Sequence, residues 1–369
     1  MYNYFTIYSI LVHIMFDQTV KRLGFCCKYL HPDQSQPKKL LEELQRPLNT
    51  KTTTVAWLKR QTTDVAEQRL YDIMVHNITS AYNLIEYVST LPNALRMLRI
   101  GSDILPMYTE DSWSYFWQRS DVKNEYERLF ARCGDLARQH DVRLSFHPGQ
   151  FTVLASDRPS VVDKSIEEFE YHVDMARMMG YGQKFMDMKI NVHISGKQGA
   201  EGILKVLPRL SPEALNTITI ENDEMCWGLD ESLKLKDHVA LVLDIHHHWI
   251  RDEEYIQPDD LRVLSVLESW RGVRPVLHYS YSRCEHLPNR SDRHDTMHDV
   301  RGLLAEGCKK QKLRAHSDFY PNEKVNSWAL SFWEQFDIQC EAKAKNLATQ
   351  QLYNQAINPG FIHYSKVTE

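Results

Sequence analysis

The stretch Ala240-Leu-Val-Leu-Asp244-Ile-His246-His247-His248-Trp249 decides the fold. Its four leading apolar residues suit a short, fully buried strand, and they run straight into one Asp and three His. A buried strand cannot deliver such groups into an interior unpaired, because desolvated polar atoms must be neutralised or coordinated. Carboxylates beside neutral imidazoles are a ligand set for a divalent cation. His246 and His248 are read as neighbours of the ligands, since an extended strand end alternates its side chains between two sides.

The same pattern, an apolar run ending in His or a carboxylate, recurs along the chain. Strands are expected over 23–27, 95–100, 142–146, 188–192, 217–220, 240–244 and 275–277. Between them, helical spacing covers 64–88, 121–140, 161–179, 202–207, 232–237 and 261–270, with Asp64 as the N-cap of the first. Residues 31–60 and 279–312 are polar excursions. Toward the C-terminus, 313–316 and 336–340 each fit a strand, while 328–333 and 342–352 fit helices. Eight strand-then-helix units predict a (β/α)8 TIM barrel with its function at the C-terminal mouth. A single domain over 21–355 is expected, preceded by an apolar extension at 1–20, where Met15 is an alternative start, and followed by a tail at 356–369.

A chain of 369 residues with 43% hydrophobic content can bury one large core. Its net charge of −5 excludes a globally basic nucleic-acid binder, so any such contact must come from a local patch or from bound cations. Seven cysteines without a C-x-x-C pair disfavour thiolate zinc sites and a secreted disulfide framework. The apolar start lacks the basic region of a signal peptide, and no stretch reaches the length of a membrane helix. A reducing compartment follows: cytoplasmic, or nuclear in a eukaryote.

The strand ends carry His147, His193, Glu221, Asp244, His247 and His278, with His316 and Glu341 near the last two elements. A lone His at a strand end is commonly a structural hydrogen-bonding residue, and Glu221 alone could cap a helix. Repetition changes that reading, because a parallel barrel brings all these ends to one mouth. So many imidazoles and carboxylates exceed the needs of one ion and imply two or three. His13, His31, His76, His140, His172, His238 and His286 lie away from strand ends and are read as surface or core residues.

The chain resembles the UV damage endonuclease family, relatives of endonuclease IV and the xylose isomerase-like barrels. The resemblance is carried by Leu23-Gly-Phe-Cys-Cys27, Leu98-Arg-Ile-Gly-Ser-Asp-Ile-Leu-Pro106, Leu144-Ser-Phe-His-Pro-Gly-Gln150 and Val192-His-Ile-Ser-Gly196. It continues through Ile220-Glu-Asn-Asp223, Leu243-Asp-Ile-His-His247, Arg274-Pro-Val-Leu-His278, Ala315-His-Ser-Asp318 and Asp337-Ile-Gln-Cys-Glu-Ala-Lys-Ala-Lys345. These occur in family order over 20–352. The resemblance makes 337–341 the eighth strand and puts His316 in the loop after strand seven.

By carry-over, the metal ligands are His147, His193, Glu221, Asp244, His247, His278, His316 and Glu341, with Glu221 bridging and Glu221, Asp244 and His278 at the catalytic centre. The reaction implied is hydrolysis of double-stranded UV-damaged DNA immediately 5′ of pyrimidine dimers and 6-4 photoproducts, by water activated on several metal ions, leaving a 3′-hydroxyl and a 5′-phosphate. Mn2+ is the implied cofactor, with Mg2+, Co2+ or Zn2+ as alternatives. The resemblance implies no obligate protein partner, hence a monomer. Gln150 and Phe151 resemble the family's probing pair opposite the lesion, although Phe151 could equally pack under its own loop; Phe25 is a lesion-contact position.

Lys309, Lys310 and Lys312, with Arg314, form a basic run beside His316, and Arg283, Arg290 and Arg293 lie in the same insertion. Three departures stand out. Phe25 and Phe151 replace the usual Tyr, Val276 stands where a Lys commonly precedes His278 by two, and no His follows Leu105-Pro106; Glu110 or Asp111 is nearest. An abasic-site endonuclease of the endonuclease IV type and a divalent-metal sugar isomerase or epimerase are the competing readings, the latter needing fewer ligands and no wedge or basic loops.

Overall fold

In the computed structural model, which describes residues 20–288 and 295–358, eight parallel strands close a barrel in sequence order. They are β1 Leu23–Cys26, β2 Met97–Arg99, β3 Arg143–Phe146, β4 Lys189–His193, β5 Ile218–Glu221, β6 Ala240–Asp244, β7 Val276–Tyr279 and β8 Asp337–Cys340. Strand β1 pairs with β8 through Leu23↔Ile338 and Gly24↔Gln339, so no edge is left open. Almost every strand residue is buried, which is why the strands read as apolar runs rather than alternating ones.

The helices form the outer shell: α1 Thr63–Ser89, α2 Ser120–Gln139, α3 Pro159–Met178, α4 Gly199–Val206, α5 Leu229–Leu233, α6 Ile245–Asp252, α7 Leu261–Ser269, α8 Glu323–Ser331 and α9 Lys345–Ile357. Helix α1 buries Ala66, Leu70, Ile73, Met74, Ile78, Ala81, Leu84, Ile85 and Val88, one stripe at helical spacing. Asn77 in that stripe accepts from Lys51 N at 2.7 Å and donates to Asp103 O at 2.9 Å, tying the 31–60 excursion to the loop after β2.

Several boundaries differ from the sequence expectation. Asp64 is not the N-cap but lies in the first turn of α1, where its charge complements the helix dipole. Residues 93–95 form a 3-10 turn, which shortens β2. The 313–316 segment is not a strand: a helical turn, Lys310–Leu313, precedes a single antiparallel bridge from Ser282 to His316. Helix α9 runs to Ile357, so the tail expected from 356 begins inside it. The extension expected over 1–20, Met15 included, falls outside the described residues except for its last position, as do Arg290, Arg293 and 359–369. No helix among the described residues is long and apolar enough to cross a membrane, and all seven cysteines are free.

The end of the barrel opposite the mouth is held by one carboxylate. Asp337, fully buried at the start of β8, accepts from Arg22 N and Arg274 Nε at 2.8 Å each and from Arg143 Nη1 at 2.6 Å. It joins the segments entering β1, β3, β7 and β8. Removing it strands two largely buried guanidinium groups, which costs about 3–5 kcal/mol. Asp337→Ala is therefore expected to lower the urea unfolding midpoint by that equivalent, and an unchanged midpoint would refute this role.

Candidate metal centre

Strand register places the ligand candidates. His193 pairs with Glu221 across β4 and β5, and Asp244 pairs with His278 across β6 and β7. The two-residue period of a strand then stacks further groups beneath them: Lys189 and Asn191 below His193, Thr219 below Glu221. Asn191 donates to Glu221, and Thr219 Oγ1 donates to Asn191 Oδ1 at 2.8 Å.

Glu221 is the hub. Fully buried, its Oε1 lies 3.1 Å from His278 Nδ1 and 3.5 Å from His247 Nδ1. Its Oε2 lies 3.3 Å from His147 Nε2 and 3.8 Å from His193 Nε2. Glu341, following β8, is 3.3 Å from His278 Nδ1 and paired with Arg99. Asp244 caps α6 by accepting from the main-chain N–H groups of His246 and His247 through Oδ1, while its buried Oδ2 has no hydrogen-bond partner. His316 stands further out, its Nδ1 3.1 Å from the Glu341 main-chain oxygen and 3.9 Å from Glu341 Oε2.

The imidazoles are pre-oriented. His147 Nδ1 lies 2.9 Å from Pro148 O and His247 Nδ1 3.0 Å from Asn222 O, leaving both Nε2 atoms toward the carboxylates. His193 Nδ1 faces Asp223 Oδ2 at 3.3 Å. A ring nitrogen fixed on a carbonyl or carboxylate, with the other turned to the centre, is the arrangement metal-binding histidines use. His278 is the exception, with Nε2 at 2.8 Å from Lys189 Nζ. Burial pulls that ammonium down to about 7, so a neutral amine can accept the Nε2 proton.

Without cations, protons and ion pairs offset the carboxylates of the centre. Burial would raise Glu221, yet His278, His193 and His147 around it hold it well below the usual carboxylate range. Burial raises Asp244 to about 8. Burial alone would lower His247, but Asp244, Glu224, Glu221 and Glu341 outweigh it and lift it to about 10. Burial takes His147 and His278 down to about 4, which leaves them neutral as ligands must be.

Among the described residues, four sets of three side chains offer ligand atoms within 4.8 Å of one another: His147–Glu221–His278, His193–Glu224–His247, Glu221–Asp244–His247 and Asp244–His278–Glu341. Glu221, Asp244, His247 and His278 recur among them. Together with the orphaned Asp244 Oδ2, this donor set fits two or more hard or borderline divalent ions.

Of the eight expected ligands, seven meet in these sets and His316 flanks them. His246 and His248 do turn away, but not by strand alternation, which would have grouped them with Asp244 and excluded His247. Residues 245–252 are helical, so His247 comes round to the centre. His246 lies 2.7 Å from Ser280 Oγ, and His248 is 2.8 Å from Glu254. At the position where the family resemblance leads one to expect a Lys, Val276 packs with Met186, Val242 and Trp270, and Lys189 of β4 places an amine on His278. Glu110 and Asp111 do not reach the centre; they contact Ser112 and Lys164.

One expectation for duplex contact, at Phe25, is corrected. Phe25 is 2% exposed: Cys26 takes the interior face beside Arg99, so Phe25 points into the packing under the helices. Lys310 is engaged with Glu253 at 3.0 Å and with Arg251 O at 3.1 Å, whereas Lys309 and Lys312 are exposed. Gln150 is exposed, and Phe151 is 86% exposed, so it does not pack under its loop. Sequence reasoning missed Glu224, Asp223, Lys189, Asn191 and Arg99. The spacing Lys189-x-Asn191-x-His193 on one face was the available signal for two of them.

The sequence pattern of the family described as UV-endonuclease UvdE matches residues 22–362. The UV DNA damage endonuclease of Bacillus cereus (strain B4264) is 24% identical over 317 residues, covering 83% of this chain and 88% of its own. That of Bacillus mycoides (strain KBAB4) is 25% identical over 318 residues, covering 82% and 87%. The crystal structure of SacUVDE shares the fold, with a TM-score of 0.66 at 20% identity over 90% of this chain and 97% of that one.

Because Asp244 keeps its proton up to about pH 8 and His247 up to about 10, a cation must displace protons to bind. Affinity is expected to rise as pH increases from 6 to 9 and to fall on acidification. Calorimetric titration of Mn2+ in buffers of different ionisation enthalpy reads the released protons; heats independent of buffer would refute this.

Proposed function

The chain belongs to the UV-endonuclease UvdE family and is a DNA-repair endonuclease, and on that premise we propose that it cuts double-stranded DNA immediately 5′ of UV photoproducts, leaving a 3′-hydroxyl and a 5′-phosphate. The observation that carries this reading is the convergence of buried carboxylates and imidazoles on Glu221 at an open mouth beside an exposed aromatic loop.

His147, His193, Glu221, Asp244, His247, His278 and Glu341 would hold two or three divalent ions, with His316 at the rim and Mn2+ as the proposed metal. Such ions supply an activated water and neutralise the developing charge on the leaving oxygen. The protein's part is to keep the ligand set ionised and fixed. Asn191 donates to the Glu221 carboxylate and orients it toward the centre. Asp223 orients His193, and Lys189 orients His278. Glu341 is aligned by Arg99.

Outside the centre, Gln150 and Phe151 occupy a turn after β3. A ring exposed on that turn is free to wedge between base steps. A damaged pair stacks poorly and is cheaper to open, which would give preference for lesions without direct reading of sequence. Lys309 and Lys312 on the neighbouring insertion would hold backbone phosphates. A sugar isomerase has no need of the exposed ring or of these lysines.

With Mn2+ and an end-labelled duplex carrying one thymine dimer, a nick directly 5′ of the dimer is expected; no cutting of irradiated DNA would reject the reading, and preference for an abasic site would favour the endonuclease IV type. Glu221→Gln should lower cutting at least about 100-fold while leaving the circular dichroism spectrum unchanged. Phe151→Ala should lower cutting at the dimer about ten-fold, the worth of one stacking contact, with binding to undamaged duplex retained. Equal cutting by Phe151→Ala would return Phe151 to a passive role.

A further inference from the structure

Arg314 is the guanidinium on the lining of the mouth, with Gly149, Gln150, His193, Glu224 and His316 around it. It is 44% exposed, yet its Nε sits 2.6 Å from Oε1 of Glu224, a carboxylate that is only 3% exposed. The other oxygen of Glu224 lies 3.4 Å from His247 Nε2. Glu224 is therefore shared between a cation of the protein and a ligand set with His193 and His247, whose donor atoms lie within 4.8 Å of one another.

We propose that Arg314 is the residue that grips the phosphodiester backbone at the mouth, that it is parked on Glu224 in the metal-free protein, and that a divalent cation bound by His193, Glu224 and His247 releases it. This rests on the reading of DNA as the substrate.

The physical argument is a competition for one carboxylate. A divalent ion set between two imidazoles attracts Glu224 more strongly than a partly solvated guanidinium does, since the ion is doubly charged and approaches to bonding distance. Once Glu224 turns to the ion, Arg314 loses its counter-charge at the rim of the cavity. Its planar fork of donors matches the two non-bridging oxygens of a phosphodiester. The rest of the basic run is differently engaged: Lys310 is held by Glu253, and Lys309 and Lys312 are exposed outside the cavity lining. The mouth thus presents an acidic face when empty and gains a phosphate-binding group as it fills, which couples metal loading to DNA binding.

The test is a double-mutant cycle of Arg314→Gln and Glu224→Gln, read by fluorescence anisotropy with an undamaged duplex, in Mn2+ and after chelation. In the chelated protein Arg314→Gln should change affinity less than about two-fold, because that side chain is already occupied. In the same protein carrying Glu224→Gln, or in Mn2+, it should cost about ten-fold and lower the salt slope by about one. Electron paramagnetic resonance of Mn2+ should show Glu224→Gln weakening one site at least about ten-fold and Arg314→Gln sparing it. Arg314→Lys keeps the charge and should recover only part of the affinity.

The same cost of Arg314→Gln with and without metal overturns the proposal, as does unaltered Mn2+ binding by Glu224→Gln. Cutting of dimer-bearing duplex is scored separately, so loss of the lesion reading and loss of this coupling are distinguishable.

Discussion

The buried carboxylate of Glu221 is the constraint on which the rest depends. It lies at the centre of a closed barrel, within 4 Å of imidazole nitrogens from His147, His193, His247 and His278. Each of those residues comes from a different strand end or strand-following turn, so a single charge fixes the relative height of four segments. Asn191 and Thr219 beneath it join Lys189 and Arg99 as polar residues of the barrel interior. That interior gives up hydrophobic packing to keep one carboxylate ionised. At the opposite end the Asp337 carboxylate gathers the guanidinium groups of Arg143 and Arg274 and the main-chain N–H of Arg22. A barrel of this kind is tied by charge at both ends and by aliphatic packing between its strands and its helical shell.

Much of the architecture was legible because parallel strands covered on both faces leave continuous apolar runs, and those of β3 to β8 end in or beside a metal-capable residue. The 240–244 stretch is buried throughout, and Asp244 lies where its sequence position predicts. What followed it was not legible. Asp-Ile-His-His-His reads as a polar strand end, but the Asp244 carboxylate accepts two main-chain N–H groups and starts a helix at once. A period of 3.6 then selects His247 and rejects its neighbours. A carboxylate can be a ligand and a helix cap together, and only the second role shows in the local backbone.

The misses share a different cause. Lys189, Arg99 and Glu224 act across the barrel on residues dozens to hundreds of positions away, through registers that one sequence does not display. Phe25 failed for the opposite reason. Its neighbours in sequence mark a strand, but the face it takes depends on Cys26 sharing the interior with Arg99. The basic run of the insertion likewise separates only in three dimensions, since Lys310 and Arg314, about one helical turn apart, serve different carboxylates.

The pairing of the first strand with the last has a consequence for how the protein comes into being. Arg22 and Asp337 are 315 positions apart, and the ring stays open until both have been synthesised. Contacts of such sequence separation form late, so the growing chain passes through a long period as an open, curved sheet. Glu341 lies beyond the closing strand, so the ligand set is incomplete throughout that period. An unfinished chain leaving the ribosome would therefore be an inert precursor, and the capacity to cut a chromosome would arrive together with the last strand.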